Sequence, residues 1–152
     1  MEHVLLEQAI VKYITKNPSF NCSDLYISSD EEDNNSEIIA YVNDKPRQCR
    51  PDVIAHNFWG EKFFILGEAK SSSDFNSNDP DDKARHGKQI DVMLNALKVK
   101  RDIKKYLIYA CDIDFRNEIE LLINQKKLEF DANDVNIIMI DQINNPELFS
   151  WA

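Results

Sequence analysis

Three charged side chains, Asp52, Glu68 and Lys70, stand on two short apolar segments separated by a turn. Asp52 follows Pro51, and Glu68 and Lys70 flank Ala69 in Gly67-Glu68-Ala69-Lys70. Residues 52–58 and 62–70 read as a β-hairpin with Gly60 in the turn. A turn centred on Gly60 pairs residues whose numbers sum to about 120, which sets Asp52 opposite Glu68. Lys70, two residues on, shares their face. Two carboxylates at that spacing repel unless a cation lies between them. Hard oxygen ligands in an incomplete cage suit Mg²⁺, and the chemistry implied is metal-assisted cleavage of a phosphodiester. Lys70 can orient or deprotonate the attacking water or stabilise developing charge, and the Ala69 backbone carbonyl can complete a metal shell. The competing reading is an ordinary hairpin with a surface ion pair.

Context separates this set from decoys. Asp81-Asp82-Lys83 and Asp102-Ile103-Lys104 also have the Asp/Glu-x-Lys form, and Pro80-Asp81 repeats the Pro-Asp pair. Pro80-Asp81 suits a helix first turn, and Asp102 has no acid hairpinned against it.

The elements that must position these groups follow from periodicity. Residues 3–16 have apolar positions at helical spacing, ended by Asn17-Pro18. Residues 25–27 and 38–42 read as strands, with an exposed acidic loop at 29–36 between them. The segment 62–70 is apolar on both faces, the mark of a central, covered strand. A polar loop at 71–82 precedes a helix at 83–99, a buried strand at 106–110, a third helix around 115–123 and a last strand at 135–140. The order gives an α/β fold with a mixed central sheet flanked by helices, in a single domain spanning 1–152.

At this point the chain resembles the PD-(D/E)XK nuclease superfamily, the restriction-endonuclease-like fold. Pro51-Asp52 and Glu68-Ala69-Lys70 carry the resemblance, which extends over roughly residues 3–111. It implies an αβββαβ core followed by a C-terminal α-β extension, and Mg²⁺-dependent hydrolysis of nucleic acid, DNA before RNA, with Mn²⁺ as a substitute. It implies catalytic roles for Asp52, Glu68, Lys70 and Gln89, the last in His86-Gly87-Lys88-Gln89 on the following helix. It implies metal ligation by Asp52, Glu68 and the Ala69 carbonyl, assisted by Glu7 on the first helix.

Composition bears on partners. The 152 residues carry a formal charge of −9, which counts against strong nonspecific DNA affinity. The balance reverses between Lys83 and Lys105, either as a solvated helix face or as an edge that tracks phosphates. Lys83, Arg85, His86 and Lys88 are the expected nucleic-acid contacts, and a homodimer or a larger protein partner is expected to assist. The acidic balance also supports two other readings: a nuclease-like fold retained as a binding or assembly module, and an acidic inhibitor or DNA mimic. His56 reads as strand packing, Phe58 and Trp59 as a hairpin end, and the three histidines form no ligand pattern. Cys22, Cys49 and Cys111 are too few and too scattered for a disulfide framework or a zinc site. No apolar run spans a bilayer, no membrane partner is expected, and the expected compartment is the reducing cytoplasm.

Overall fold

The computed structural model describes residues 2–30, 35, 37–57, 62–72 and 79–149. Helix α1 (His3–Lys16) leads into a 3-10 turn at Pro18–Phe20. Strands β1 (Leu25–Ser29), β2 (Ile38–Val42), β3 (Lys45–Cys49), β4 (Val53–Asn57) and β5 (Phe63–Lys70) follow. Helix α2 (Pro80–Lys98), β6 (Lys104–Cys111), helix α3 (Ile113–Glu129), β7 (Val135–Ile140) and a 3-10 turn at Pro146–Phe149 complete the order. Among the described residues no helix is long and apolar enough to cross a membrane.

Five strands form one mixed sheet in the order β1-β4-β5-β6-β7. The β1–β4 and β4–β5 pairs are antiparallel, and the β5–β6 and β6–β7 pairs are parallel. This is the α/β fold with a mixed, helix-flanked sheet that the periodicity implied. Strand β5 lies in the centre and is buried on both faces, because its side chains alternate between two apolar layers. Phe63, Ile65 and Ala69 face α1, whose stripe of Leu6, Ala9, Ile10 and Ile14 is fully buried. Leu66 faces the other layer with Leu107, Tyr109 and the α2 residues Ile90, Met93, Leu94 and Leu97. Each such aliphatic side chain contributes about 1.5–3 kcal/mol when fully buried.

Helix α2 begins at Pro80, the first turn that Pro80-Asp81 implied and ahead of the helical spacing at 83–99, because Asp79 caps it by accepting the Asp81 N–H at 3.0 Å and Pro80 fits the first position. The main departure from the sequence reading is a separate two-stranded sheet, β2 with β3, which packs against α2 and beside Phe64 and Leu66 of β5, and places Ala40 and Cys49 in the core that α2 shares with the five-stranded sheet. Strand β3 was not anticipated. Its turn, Asn43-Asp44, has φ of 51° and 65°, the pair of left-handed residues that a two-residue hairpin turn requires.

Candidate active site

The β4–β5 register fulfils the expected sum: Val53 pairs with Gly67, Ile54 with Leu66, Ala55 with Ile65 and His56 with Phe64. The turn residues, with Gly60, Phe58 and Trp59, lie outside the described residues. Beyond Val53 the ladder stops. Its continuation would set Pro51 opposite Ala69, and proline has no N–H to give. Asp52 takes over: its Oδ2 accepts the Ala69 N–H at 2.8 Å. In a strand the N–H and C=O of one residue point to the same side, so the Ala69 carbonyl opens toward Asp52 as well.

The carboxylates of Asp52 and Glu68 meet at this strand end, and both residues are buried, with 9% and 3% exposure. The surface ion pair weighed from sequence therefore gives way to a buried carboxylate pair. Burial pushes the Glu68 pKa well up, reinforced by the negative charge and hydrogen bond of Asp52, with Lys70 and His3 opposing. Burial acts in the same direction on Asp52, but the His3 contact, the hydrogen bond with Glu68 and the Ala69 N–H outweigh it and hold that carboxyl below its usual range. The two carboxyls are thus pushed in opposite directions, Glu68 up and Asp52 down, as crowded carboxylates are. Lys70 Nζ lies 3.6 Å from Glu68 Oε1 and is mostly buried.

Helix α1 closes the site from the other layer. Glu7 is 1% exposed, not a surface charge, and its Oε1 accepts the Ser29 hydroxyl at 2.6 Å. His3, one turn earlier, places Nε2 3.4 Å from Glu7 Oε2 and 3.4 Å from Asp52 Oδ1. Spacing among the histidines alone could not find this, because the partners of His3 are carboxylates; the readable signal was the i, i+4 placement of His3 and Glu7.

Asn35 is the other residue that sequence reasoning missed. The segment 29–36 read as an exposed loop, yet Ser29 ends β1 and Asn35 is buried; residues 31–34 and 36 lie outside the described residues. Asn35 Nδ2 donates to the carbonyls of Pro51 and Asp52, both at 3.1 Å, and its Oδ1 accepts the Ser28 hydroxyl. Asp30 N–H also donates to the Asp52 carbonyl, at 2.7 Å.

Gln89 lies on a groove of about 710 Å³ between α2 and the β2–β3 hairpin, with Cys49, Lys45, Arg47, Arg85 and Lys88. Its Oε1 is buried without a hydrogen-bond partner among the described residues. Cys49 links this groove to the carboxylates: burial, then the charges of Glu68, Glu37 and Asp52, push its thiol up to about 12, with Lys70 opposing.

The expected basic contacts divide. Arg85 and Lys88 line the groove, with Arg85 also paired to Asp82 at 2.7 Å. Lys83 pairs instead with Glu118 of α3 at 3.2 Å. His86 does not face a phosphate; it is 2% exposed and its Nδ1 lies 3.4 Å from the Tyr109 hydroxyl. Farther along the same run, Lys105 is buried against Asp134 and the Lys98 carbonyl. The run from Lys83 to Lys105 is therefore not one continuous cationic edge. His56 packs as expected, stacked on Phe64 with centroids 5.6 Å apart.

No protein-family model, curated protein or solved structure matches this chain.

Geometry is accordingly what bears on function: a buried carboxylate pair, a neighbouring ammonium, and a cationic groove beside them, all at the end of a central strand.

Proposed function

We propose that this chain is a metal-dependent nuclease of the PD-(D/E)XK kind, hydrolysing phosphodiester bonds of nucleic acid, DNA before RNA. One observation carries the reading: Asp52 and Glu68 form a buried carboxylate pair with Lys70 3.6 Å from Glu68. An αβββαβ order in the main sheet, α1, β1, β4, β5, α2 and β6, with the β2–β3 hairpin inserted after β1, agrees with it, and α3 with β7 forms the extension.

The residues present fit a hard divalent cation. Glu7, Asp52 and Glu68 bring three buried carboxyl groups to one strand end, an arrangement that is costly unless a positive charge is shared among them. Asp52, Glu68 and the Ala69 carbonyl would hold Mg²⁺ or Mn²⁺, with Glu7 behind Asp52. When bound, such an ion supplies a water of lowered pKa and neutralises charge on the phosphate. Lys70 places a positive charge at the same strand end, where it can orient the attacking water. Gln89 offers its amide on the adjoining groove, and Arg85 and Lys88 offer charge to the flanking phosphates. With a net charge of −9 outweighing this local patch, tight binding to DNA calls for a second copy or a larger partner protein.

Cleavage of plasmid and oligonucleotide DNA with Mg²⁺ or Mn²⁺ tests the reading, comparing wild type with Lys70→Ala and Asp52→Ala. The variants are expected to lose at least about 10²-fold in rate. Equal activity in all three proteins would sink the assignment. The acidic balance favours a second reading, a nuclease-like module acting through a partner protein, and that reading survives if nothing is cleaved.

A further inference from the structure

We propose that His3 Nε2, Glu7 Oε2 and Asp52 Oδ1 form a three-ligand site for a tetrahedral divalent cation, Zn²⁺ foremost, distinct from the Asp52–Glu68 pair but sharing Asp52. One ligand atom from each of the three residues lies within 4.8 Å of the other two.

Two details separate this cluster from an ordinary ion pair. First, Nε2 stands equally far, 3.4 Å, from both carboxylate oxygens. A charge-assisted hydrogen bond is about 2.7–2.9 Å long, and one N–H shared between two acceptors makes at best two long, bent contacts. Neither contact is a good hydrogen bond, whereas about 3.4 Å is the edge of a tetrahedron whose metal–ligand bonds are about 2.0–2.2 Å. An octahedral ion with Mg²⁺ bond lengths of about 2.0–2.1 Å would need neighbours only about 3.0 Å apart.

Second, each carboxylate has one oxygen anchored by a hydrogen bond and the other 3.4 Å from the imidazole, with Asp52 also bonded to Glu68. Glu7 Oε1 accepts the Ser29 hydroxyl at 2.6 Å, leaving Oε2 toward His3. Asp52 Oδ2 accepts the Ala69 N–H at 2.8 Å, leaving Oδ1 toward His3. Anchoring of this kind orients ligands in metal sites. One imidazole with two carboxylate oxygens suits a borderline ion more than Mg²⁺, and three protein ligands leave a fourth position open, as catalytic zinc sites do. His3 and Glu7 present one face of α1 because they are one turn apart.

The site stands apart from the nuclease reading, so its test uses no nucleic acid. Tag-free, metal-stripped full-length protein is titrated with Zn²⁺ and Mg²⁺ by calorimetry and with Co²⁺ by visible absorption. Wild type is expected to take one Zn²⁺, and His3→Ala to weaken Zn²⁺ by at least about 100-fold while moving Mg²⁺ by less than about 3-fold. Ser29→Ala is expected to cost Zn²⁺ about 10-fold. His3→Cys restores a soft ligand and is expected to recover Zn²⁺ affinity, which separates lost ligation from lost folding. Absence of Zn²⁺ binding in wild type, or undiminished binding in His3→Ala, overturns the site. Failure to cleave DNA by a protein that binds Zn²⁺ in this pattern overturns the nuclease reading alone.

Discussion

Asn35 holds Asp52 by its backbone: one side-chain amide, 3.1 Å from the Asp52 carbonyl, also reaches the Pro51 carbonyl where the β4–β5 ladder ends. Removing it takes the amide donor from the Pro51 carbonyl and one of two donors from the Asp52 carbonyl, which keeps the Asp30 N–H. Asn35→Ala is expected to destabilise the fold by about 1–3 kcal/mol, measured as a fall in the denaturant midpoint. Because the amide acts on the segment that aims Asp52, metal affinity is expected to fall as well, at temperatures where the variant is fully folded.

Gly67 tests how closely α1 presses on the sheet. A Cβ there would lie 3.0 Å from Ile10 Cγ2 and 3.0 Å from Val53 Cβ, closer than packed carbons tolerate. Gly67→Ala is expected to cost about 1–3 kcal/mol through overpacking, read from the shift in Tm. Ile10→Val in the same chain removes only Cδ1, 3.5 Å from the added carbon, and leaves Cγ2, so little of the loss is expected to return.

Acid stability should depend on Asp141. This fully buried carboxylate accepts the Ile143 and Asn144 N–H groups at 2.9 and 2.8 Å, the Asn144 side-chain amide at 2.8 Å, and Arg116. Burial raises its pKa, but the Asn144 contacts and Arg116 outweigh it and bring it below the ordinary 3.8. A depressed folded pKa gives stability that is present above 3.8 and lost as pH falls through the lower folded value. Thermal melts between pH 2 and 7 are expected to show a steeper acid limb in wild type than in Asp141→Asn. At neutral pH the variant is expected to be less stable by about 1.5–3 kcal/mol.

Thiol chemistry gives an independent check of burial. Cys49 and Cys111 are buried, and burial with nearby carboxylates raises both thiols to about 12. The thiolate is the reactive form, so iodoacetamide at pH 8 is expected to modify half-buried Cys22 and spare the other two. Mass spectrometry after unfolding in guanidinium is expected to show all three alkylated.

Much of this was legible in the chain because apolar alternation and register are local signals. Helix α1, strand β2 and strand β7 occupy the spans that periodicity marks, and Gly60 as the pivot gave the register seen from Val53–Gly67 to His56–Phe64. Strand β3 was not legible by alternation, since Lys45, Pro46, Arg47 and Gln48 are all exposed; it forms because β2 needs a partner, and Asn43-Asp44 is the turn that supplies one. Asn35 was hidden by its neighbours' composition: an Asn in an acidic stretch reads as solvated, and only its bonds to the Pro51 and Asp52 carbonyls, where the ladder ends, make it structural. His3 escaped notice because one of its carboxylate partners, Asp52, comes from another part of the chain. The basic run misled because consecutive helical positions point in different directions, sending Lys83 to α3 and Arg85 to the groove.

The Ala69–Asp52 hydrogen bond makes one backbone proton a reporter on the whole site. Whatever occupies Asp52, whether proton or cation, draws electron density from the oxygen that protects the Ala69 amide. Occupancy should therefore be readable as a change in the exchange rate and chemical shift of that single amide, in a protein to which no substrate has been added.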